Sequence, residues 1–462
     1  MLKTVLPLSF IVGTRFFGLF IVLPVLSLYS SILKDANDFL VGLLVGLYAL
    51  AQMILQVPFG ILSDKIGRKK TLLIGLLVFI LGSIICANAN DIYTMILGRT
   101  LQGAGAIGAV ATAMISDFIV EEQRSKAMAI MGMFIGLAFA LSMVIAPIMS
   151  AKWGLSSLFE LSAILTVICI ILLFTIVPKE VKIKHENTKT PLKVFFTEKN
   201  FFIMNFTNFM QKMLMSIAFF TTPIIFVKMG VNSLLGTSSV VASEHLWKLY
   251  TVSMIFGFFA MGIAGSLGEK RGFSKQFLIL GVFLFLIYCV AVALSLYAYD
   301  LFLYKYIYTL IYDDLAFIVF IIAVFVFFIA FNLHEPIMQS CASKFAKVNE
   351  KGAALGVFNA FGYFGAFIGG SIIGLAFHYE FEIQSFAILS VLSLLWLILL
   401  FFLKNPKDFK NLYLDLNEDI NIKEMQNTYG VIEVYKNSKN IVIKFDSKKT
   451  NENTLLEKKD KQ

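Results

Sequence analysis

Five ionisable side chains interrupt long apolar stretches of this 462-residue sequence: Arg15, Arg99, Lys212, His334 and Glu335. A charge in apolar surroundings is costly, so one that is kept there is a candidate for function. His334 and Glu335 are the side-chain types suited to taking up and releasing a proton, and Arg15 is suited to holding an anionic partner. The plainer reading of the pair is that both lie hydrated near a membrane surface, with Glu335 preceding Pro336 where regular helix ends. A second cluster, Gly60-Ile-Leu-Ser-Asp64-Lys65-Ile-Gly67-Arg68-Lys69-Lys70, combines one acid, four cations and two glycines. Surface anchoring would explain the cations but not Asp64, Gly60 or Gly67.

Covalent chemistry has no foothold here. The phosphate-binding pattern G-x-x-x-x-G-K-[ST] is absent, and no His, Cys and carboxylate residues converge as a nucleophilic or metal-binding set. The chain therefore does not read as an enzyme, and it implies no cofactor and no metal. Cys86, Cys169, Cys289 and Cys341 lie in or at the ends of apolar runs without ligand spacing and read as small core residues.

The elements that must position these residues are set by composition. With 58% hydrophobic residues, 47 Phe, 15% charged residues and a mean hydropathy of +0.81, the chain cannot cover a soluble surface. A bilayer core of roughly 30 Å needs about 20 helical residues per crossing. Twelve such runs are present, near 5–32, 39–62, 71–90, 92–118, 124–150, 155–177, 200–229, 247–268, 276–296, 315–336, 352–378 and 383–403. Lys and Arg in the connections alternate, with 19 on the side of the N-terminus and five on the other. By the positive-inside rule both termini are expected in the cytoplasm, and the net charge of +9 reflects topology and lipid contact rather than nucleic-acid binding.

The cluster at Gly60 repeats as Gly265, Glu269, Lys270 and Gly272, an offset of 205 residues that predicts two similar halves. The expected organisation is a six-helix bundle over 1–177, a charged linker over 178–199, a second six-helix bundle over 200–403 and a soluble tail over 404–462. In the tail, 411–416, 431–436 and 439–446 read as strands, 419–428 as a short helix and 450–462 as a frayed helix or disordered end, with a turn at Asn437-Ser438. The fold class is thus an all-α membrane protein with a small cytoplasmic α+β appendage.

The stretch from Gly60 to Lys70 resembles motif A of the major facilitator superfamily, with every fixed position filled. Leu97-Gly98-Arg99-Thr-Leu-Gln102-Gly103-Ala-Gly105 is similar to motif B, and Arg15-Phe-Phe-Gly18 through Pro24 to the helix-one motif of its twelve-helix drug/proton antiporters. Gln56 to Asp64, Ser116-Asp117, Phe331-Asn332-Leu333 and the tail together resemble the YajR-like subgroup, whose extra C-terminal domain is ferredoxin-like. The likeness spans nearly the whole chain and is weak over helices seven to ten. The antiporter motif C departs from pattern: Ser142, Ala146-Pro147, Ser150 and Ala151 stand where glycines and a Gly-Pro pair are expected.

The resemblance implies a secondary transporter of the bacterial inner membrane, a proton-coupled exporter of small organic or drug-like compounds working by alternating access as one chain. Its partners would be protons, a small-molecule substrate and the bilayer. Gly60, Asp64, Gly67, Arg68 and Asp117 would form a conformational lock, with Asp64 facing the N-terminal end of helix eleven near Gly352 and Ala353 and with Arg68 bridging to Asp117. Proton coupling would fall to Glu335, His334 or Arg15. Phe16, Tyr48, Gln52, Gln56, Arg99, Gln102, Asn205, Asn208, Gln211, Asn332, Asn359 and Tyr363 can line a central cavity; amides and aromatics with few charges favour an amphiphilic or cationic solute. Helix-to-helix hydrogen bonding is the plainer role for each amide. Two other functions fit the sequence: a non-transporting receptor or tether that signals through the tail, and a proton-coupled nutrient importer. The Tyr-rich segment 297–314 has no counterpart in the family pattern.

Overall fold

The computed structural model describes residues 2–119, 121–178, 197–230, 239–305, 310–346, 351–415, 422–436 and 440–460. The expected linker lies almost entirely outside them, as does the Asn437-Ser438 turn. Lipid offers the backbone no hydrogen-bond partner, so the apolar body is helical throughout. Its helices are α1 (Leu2–Phe20), α2 (Leu26–Ser30), α3 (Asp38–Ile66), α4 (Arg68–Ala87), α5 (Ile92–Ala104), α6 (Gly108–Phe118), α7 (Glu121–Thr175), α8 (Lys199–Gly230), α9 (Ser239–Lys270), α10 (Ser274–Lys305), α11 (Leu310–Phe345), α12 (Lys351–His378) and α13 (Glu382–Phe401).

Among the described residues nine helices are long and apolar enough to cross a membrane. One of these lies in α7, which turns at Gly154, φ 77°, and so makes two crossings. The broken pairs α1/α2 and α5/α6 make one each, which brings the crossings to the expected twelve. Segment 297–314 is helical where it is described: α10 continues to Lys305 and α11 begins at Leu310, both extending past the expected spans. Gly67 between α3 and α4 and Gly272 between α9 and α10 have φ of 101° and 74°. These equivalent positions of the 205-residue repeat both adopt the left-handed conformation that a side chain would strain. Asp91 caps α5 through the Thr94 amide at 2.9 Å and the Thr94 hydroxyl at 2.6 Å. The hydroxyl contact, then the amide, holds its carboxyl below the ordinary range.

In the first half α1 packs on α7, α4 on α5 and α7, and α3 on α5; in the second, α12 packs on α8, and α11 on α9 and α10. The halves meet through α3 with α12 and α7 with α9. At one end the α3 and α12 backbones touch. A Cβ on Gly42 would lie 2.4 Å from the Gly370 carbonyl oxygen, one on Gly46 2.7 Å from that of Phe367, and one on Gly374 2.6 Å from that of Asp38. Ser27 Oγ donates to the Phe220 carbonyl at 2.8 Å and the Tyr250 hydroxyl to that of Pro24 at 3.3 Å, closing the same end. Midway, Phe139 bridges to Phe219 and Phe331 at 6.1 and 5.7 Å between ring centroids. At the opposite end nothing lies within 4 Å of a Cβ on Gly60, Gly132, Gly136, Gly262 or Gly356. The halves converge at Gly42 and Gly374 and part toward Gly60 and Gly356, leaving a cleft between them.

The tail runs β1 (Phe409–Asp415), α14 (Ile422–Gln426), β2 (Val431–Lys436), β3 (Asn440–Asp446) and α15 (Glu452–Asp460). The described residues form a three-stranded antiparallel sheet in the order β1-β3-β2. Leu414, Met425, Ile443, Phe445 and Leu455 give it a core of its own. Its described hydrogen bonds to the body reach the second half. Lys444 Nζ donates to the Ala346 carbonyl at 2.6 Å, Lys407 Nζ to that of Arg271 at 3.4 Å, and the Lys404 amide to Asn200 Oδ1 at 3.1 Å.

Two outcomes are expected. Gly42→Val should destabilise the purified protein by about 1–3 kcal/mol, the usual result of overpacking, whereas Gly60→Ala should leave its denaturation midpoint unchanged. Removing residues 405–462 should leave a monodisperse helical body in detergent, because the tail core is separate; aggregation in size-exclusion chromatography would instead make the tail part of the body's fold.

Candidate functional site

Arg68 opens α4 and reaches back across the turn made by Gly67. Its Nη1 pairs with Asp64 Oδ1 at 2.6 Å and also donates to Ser63 Oγ, while its Nε pairs with Asp117 Oδ2 at 3.0 Å. One guanidinium, only 9% exposed, thereby joins the end of α3, the start of α4 and the end of α6. Ser63 Oγ in turn donates to the Gly60 carbonyl at 2.6 Å. This network lies within the first half. The expected contact between Asp64 and the start of α12 is not made in this conformation: the Asp64 side chain is 60% exposed and paired with Arg68, while Ala353 and Ala354 pack with Phe201 and Ala346. The parting of the halves at this end is the reason.

Arg15 does not stand open in the cleft. It is buried behind Tyr48 and Gln52 and surrounded by neutral oxygens. Nη2 donates to the Gln102 carbonyl at 2.9 Å and to Gln52 Oε1 at 3.3 Å, Nε to the Gly105 carbonyl at 3.3 Å, and Nη1 to the Tyr48 hydroxyl. The Gln102 and Gly105 carbonyls lie where α5 breaks before α6, so Arg15 satisfies backbone acceptors that the break leaves free. Arg99 is fully buried and donates through Nη1 to Gln102 Oε1 at 2.8 Å.

In the second half Glu335 and His334 part company. Glu335 accepts from Lys212 Nζ at 2.9 Å and from Gln211 Nε2 at 3.2 Å, and its side chain is 42% exposed. Lys212 Nζ also lies 4.9 Å from the Phe331 ring centroid. His334, about 100° further round the helix, is enclosed by Phe285 and Trp396 with centroids 5.6 and 5.8 Å away, and its Nε2 is 2.9 Å from the Leu278 carbonyl oxygen. The structure thus leaves Glu335 an exposed acid paired with Lys212 and makes His334 a packed core residue against Gly281. Lys212 was visible in the sequence as a charge at membrane depth, but nothing local linked it to an acid 123 residues away.

The polar set divides by burial. Phe16, Gln56, Asn359 and Tyr363 are half-buried. Tyr48, Gln52, Gln102, Asn205, Asn208, Gln211 and Asn332 are buried. Several of these serve packing: Asn208 Nδ2 donates to the Phe358 carbonyl at 2.7 Å, Asn332 Nδ2 to that of Phe328 at 2.8 Å, and Gln102 Nε2 to Ser83 Oγ at 2.8 Å. Gln52 Nε2 donates to the Tyr363 hydroxyl at 3.3 Å and so joins the two halves at the inner end of the cleft.

Residues 8–370 and 249–414 match the family model of the Major Facilitator Superfamily. The chain is 32% identical over 457 residues to the inner membrane transport protein YajR of Escherichia coli (strain K12), a match covering 96% of this chain and 94% of that one. It is 28% identical over 281 residues to the class B tetracycline resistance protein of Escherichia coli, covering 56% and 66% of the two chains. Among solved structures it is similar in fold to a D323A mutant of the nucleoside transporter NupG, with a TM-score of 0.67, 14% identity, and 87% of this chain and 100% of that chain covered. With two bundles meeting around a one-ended cleft and a family match along most of its length, the chain belongs to the Major Facilitator Superfamily and is a multi-pass secondary transporter of that type.

Proposed function

We propose that this transporter couples proton movement to the export of small organic compounds across a bacterial inner membrane, as a single chain working by alternating access. The observation that carries the reading is the asymmetry of the cleft, which is sealed at Gly42 and Gly374 and parted at Gly60 and Gly356. The parted end belongs with the Lys- and Arg-rich connections, so by the positive-inside rule it faces the cytoplasm, together with both termini and the tail. The conformation described is then the inward-open one. Export is supported by the likeness to a tetracycline resistance protein.

In the opposite state Gly60 and Gly356 come together as Gly42 and Gly374 separate, and Asp64 reaches the free N–H groups that open α12. Arg68 holds Asp64 and Asp117 ready for that contact. An interaction made in one state only is what shifts a two-state equilibrium; about 5.5 kcal/mol moves it from 1:99 to 99:1, and a few kcal/mol from this network is a useful part of that. Proton coupling is assigned to Glu335. Protonating it removes the charge that holds Lys212, and a deprotonated Glu335 holds it again. His334 has no such role in this reading, being enclosed by aromatic rings.

Asp64→Asn should leave membrane insertion intact and reduce transport at least tenfold in proteoliposomes, a loss that corresponds to about 1.4 kcal/mol or more; normal transport would remove the lock. Glu335→Gln should retain substrate binding and lose acceleration by an imposed pH gradient. An unchanged response to the gradient would dismiss Glu335 as the coupling group.

A further inference from the structure

Apart from Arg68 with its two carboxylates, the first half buries two guanidinium groups, those of Arg15 and Arg99, that no acid answers among the described residues. Arg15 and Arg99 are 4% and 0% exposed, and both lie against Tyr48, with their guanidinium carbons 5.2 and 4.7 Å from its ring centroid. Neither has a carboxylate within ion-pair distance among the described residues. Capping the break between α5 and α6 accounts for Arg15, whose donors all meet neutral oxygens. It does not account for Arg99. One of its nitrogens donates to Gln102 Oε1, while Nε and Nη2 are buried without any partner. Buried donors, and above all charged ones, are ordinarily satisfied, so these two call for an acceptor that carries negative charge.

Glu335 in the other half does not offset these two positive charges, because it is already paired with Lys212. The pair also communicates with the cleft: Arg15 donates to Gln52 Oε1, and Gln52 Nε2 donates to the Tyr363 hydroxyl of the second half. We propose that Arg99, with Arg15 and Tyr48 beside it, binds one monoanionic group, a carboxylate or a halide, through its Nε and Nη2. Taken with the transporter reading, on which this extension rests, the transported compounds carry an acidic group. Of the amphiphilic or cationic solute which the amides and aromatics of the sequence favour, this keeps the amphiphilic alternative and reverses the cationic one. A guanidinium presents two parallel donors in the geometry a carboxylate accepts.

The test is binding, read without transport. The melting temperature of the purified full-length protein is followed in a buffer free of chloride and carboxylate, with chloride, benzoate, benzamide or benzyltrimethylammonium added. Benzoate should raise the melting temperature saturably and benzamide should not, and Arg99→Gln should abolish the benzoate shift. A shift with chloride alone assigns the site to an inorganic anion; a shift with benzoate, with or without chloride, assigns it to an organic acid. An equal shift with benzamide or benzyltrimethylammonium, the absence of any anion-dependent shift, or a full shift in Arg99→Gln overturns the proposal. If Arg99→Gln does not fold, the contrast between benzoate and benzamide in the unaltered protein still decides. Failure here leaves the pH-gradient response of Glu335 untouched. Conversely, anion binding without movement of any compound across proteoliposomes would count against the transporter reading alone.

Discussion

Two helix backbones touch at Gly42, Gly46, Gly370 and Gly374, and the rest of the architecture follows from where that contact lies. Helices in a bilayer gain nothing from burying apolar surface against one another, because lipid is equally apolar. Close packing and a few hydrogen bonds must therefore hold the halves together. Only glycine allows carbonyls and α-carbons to approach so nearly, and the approach is confined to one end. The Ser27 and Tyr250 hydrogen bonds fall at the same end, and the Phe139 bridges lie further in. Beyond the bridges the halves are free to part.

Sparse polar groups then acquire large effects. Arg68 gathers Asp64 and Asp117 on one half, Lys212 answers Glu335 on the other, and Gln52 meets Tyr363 between them. Among the described residues the tail is tied to the second half, to which Lys444, Lys407 and the Lys404 amide all bond. It rides with that half.

Much of this was legible in the sequence for physical reasons. A crossing demands about 20 apolar residues, so spans can be counted from the apolar runs whether a crossing is broken, as in α1/α2 and α5/α6, or two are merged, as in α7. The repeated turn was legible because positive φ at Gly67 and Gly272 leaves glycine as the natural residue. Asp64, Arg68 and Asp117 were legible through a family motif. The pairing of Glu335 with Lys212 was not, since the two lie 123 positions apart in the chain. Nor was the separation of His334 from Glu335, which depends on which face of α11 meets Phe285 and Trp396. Least legible was the end at which the halves meet: glycines at both ends permit contact, and sequence spacing does not choose between two states of one molecule.

The central claim is that closing one end opens the other. Spin labels at Ile61 and Gly356 report the parted end, and labels at Ile32 and Tyr379 the sealed end; the distances within both pairs are measured by pulsed electron resonance in nanodiscs across a pH series. The account predicts that a shift which shortens the first distance lengthens the second in the same proportion of molecules. Distances that shorten together, or a first distance that changes while the second stays fixed, would contradict it.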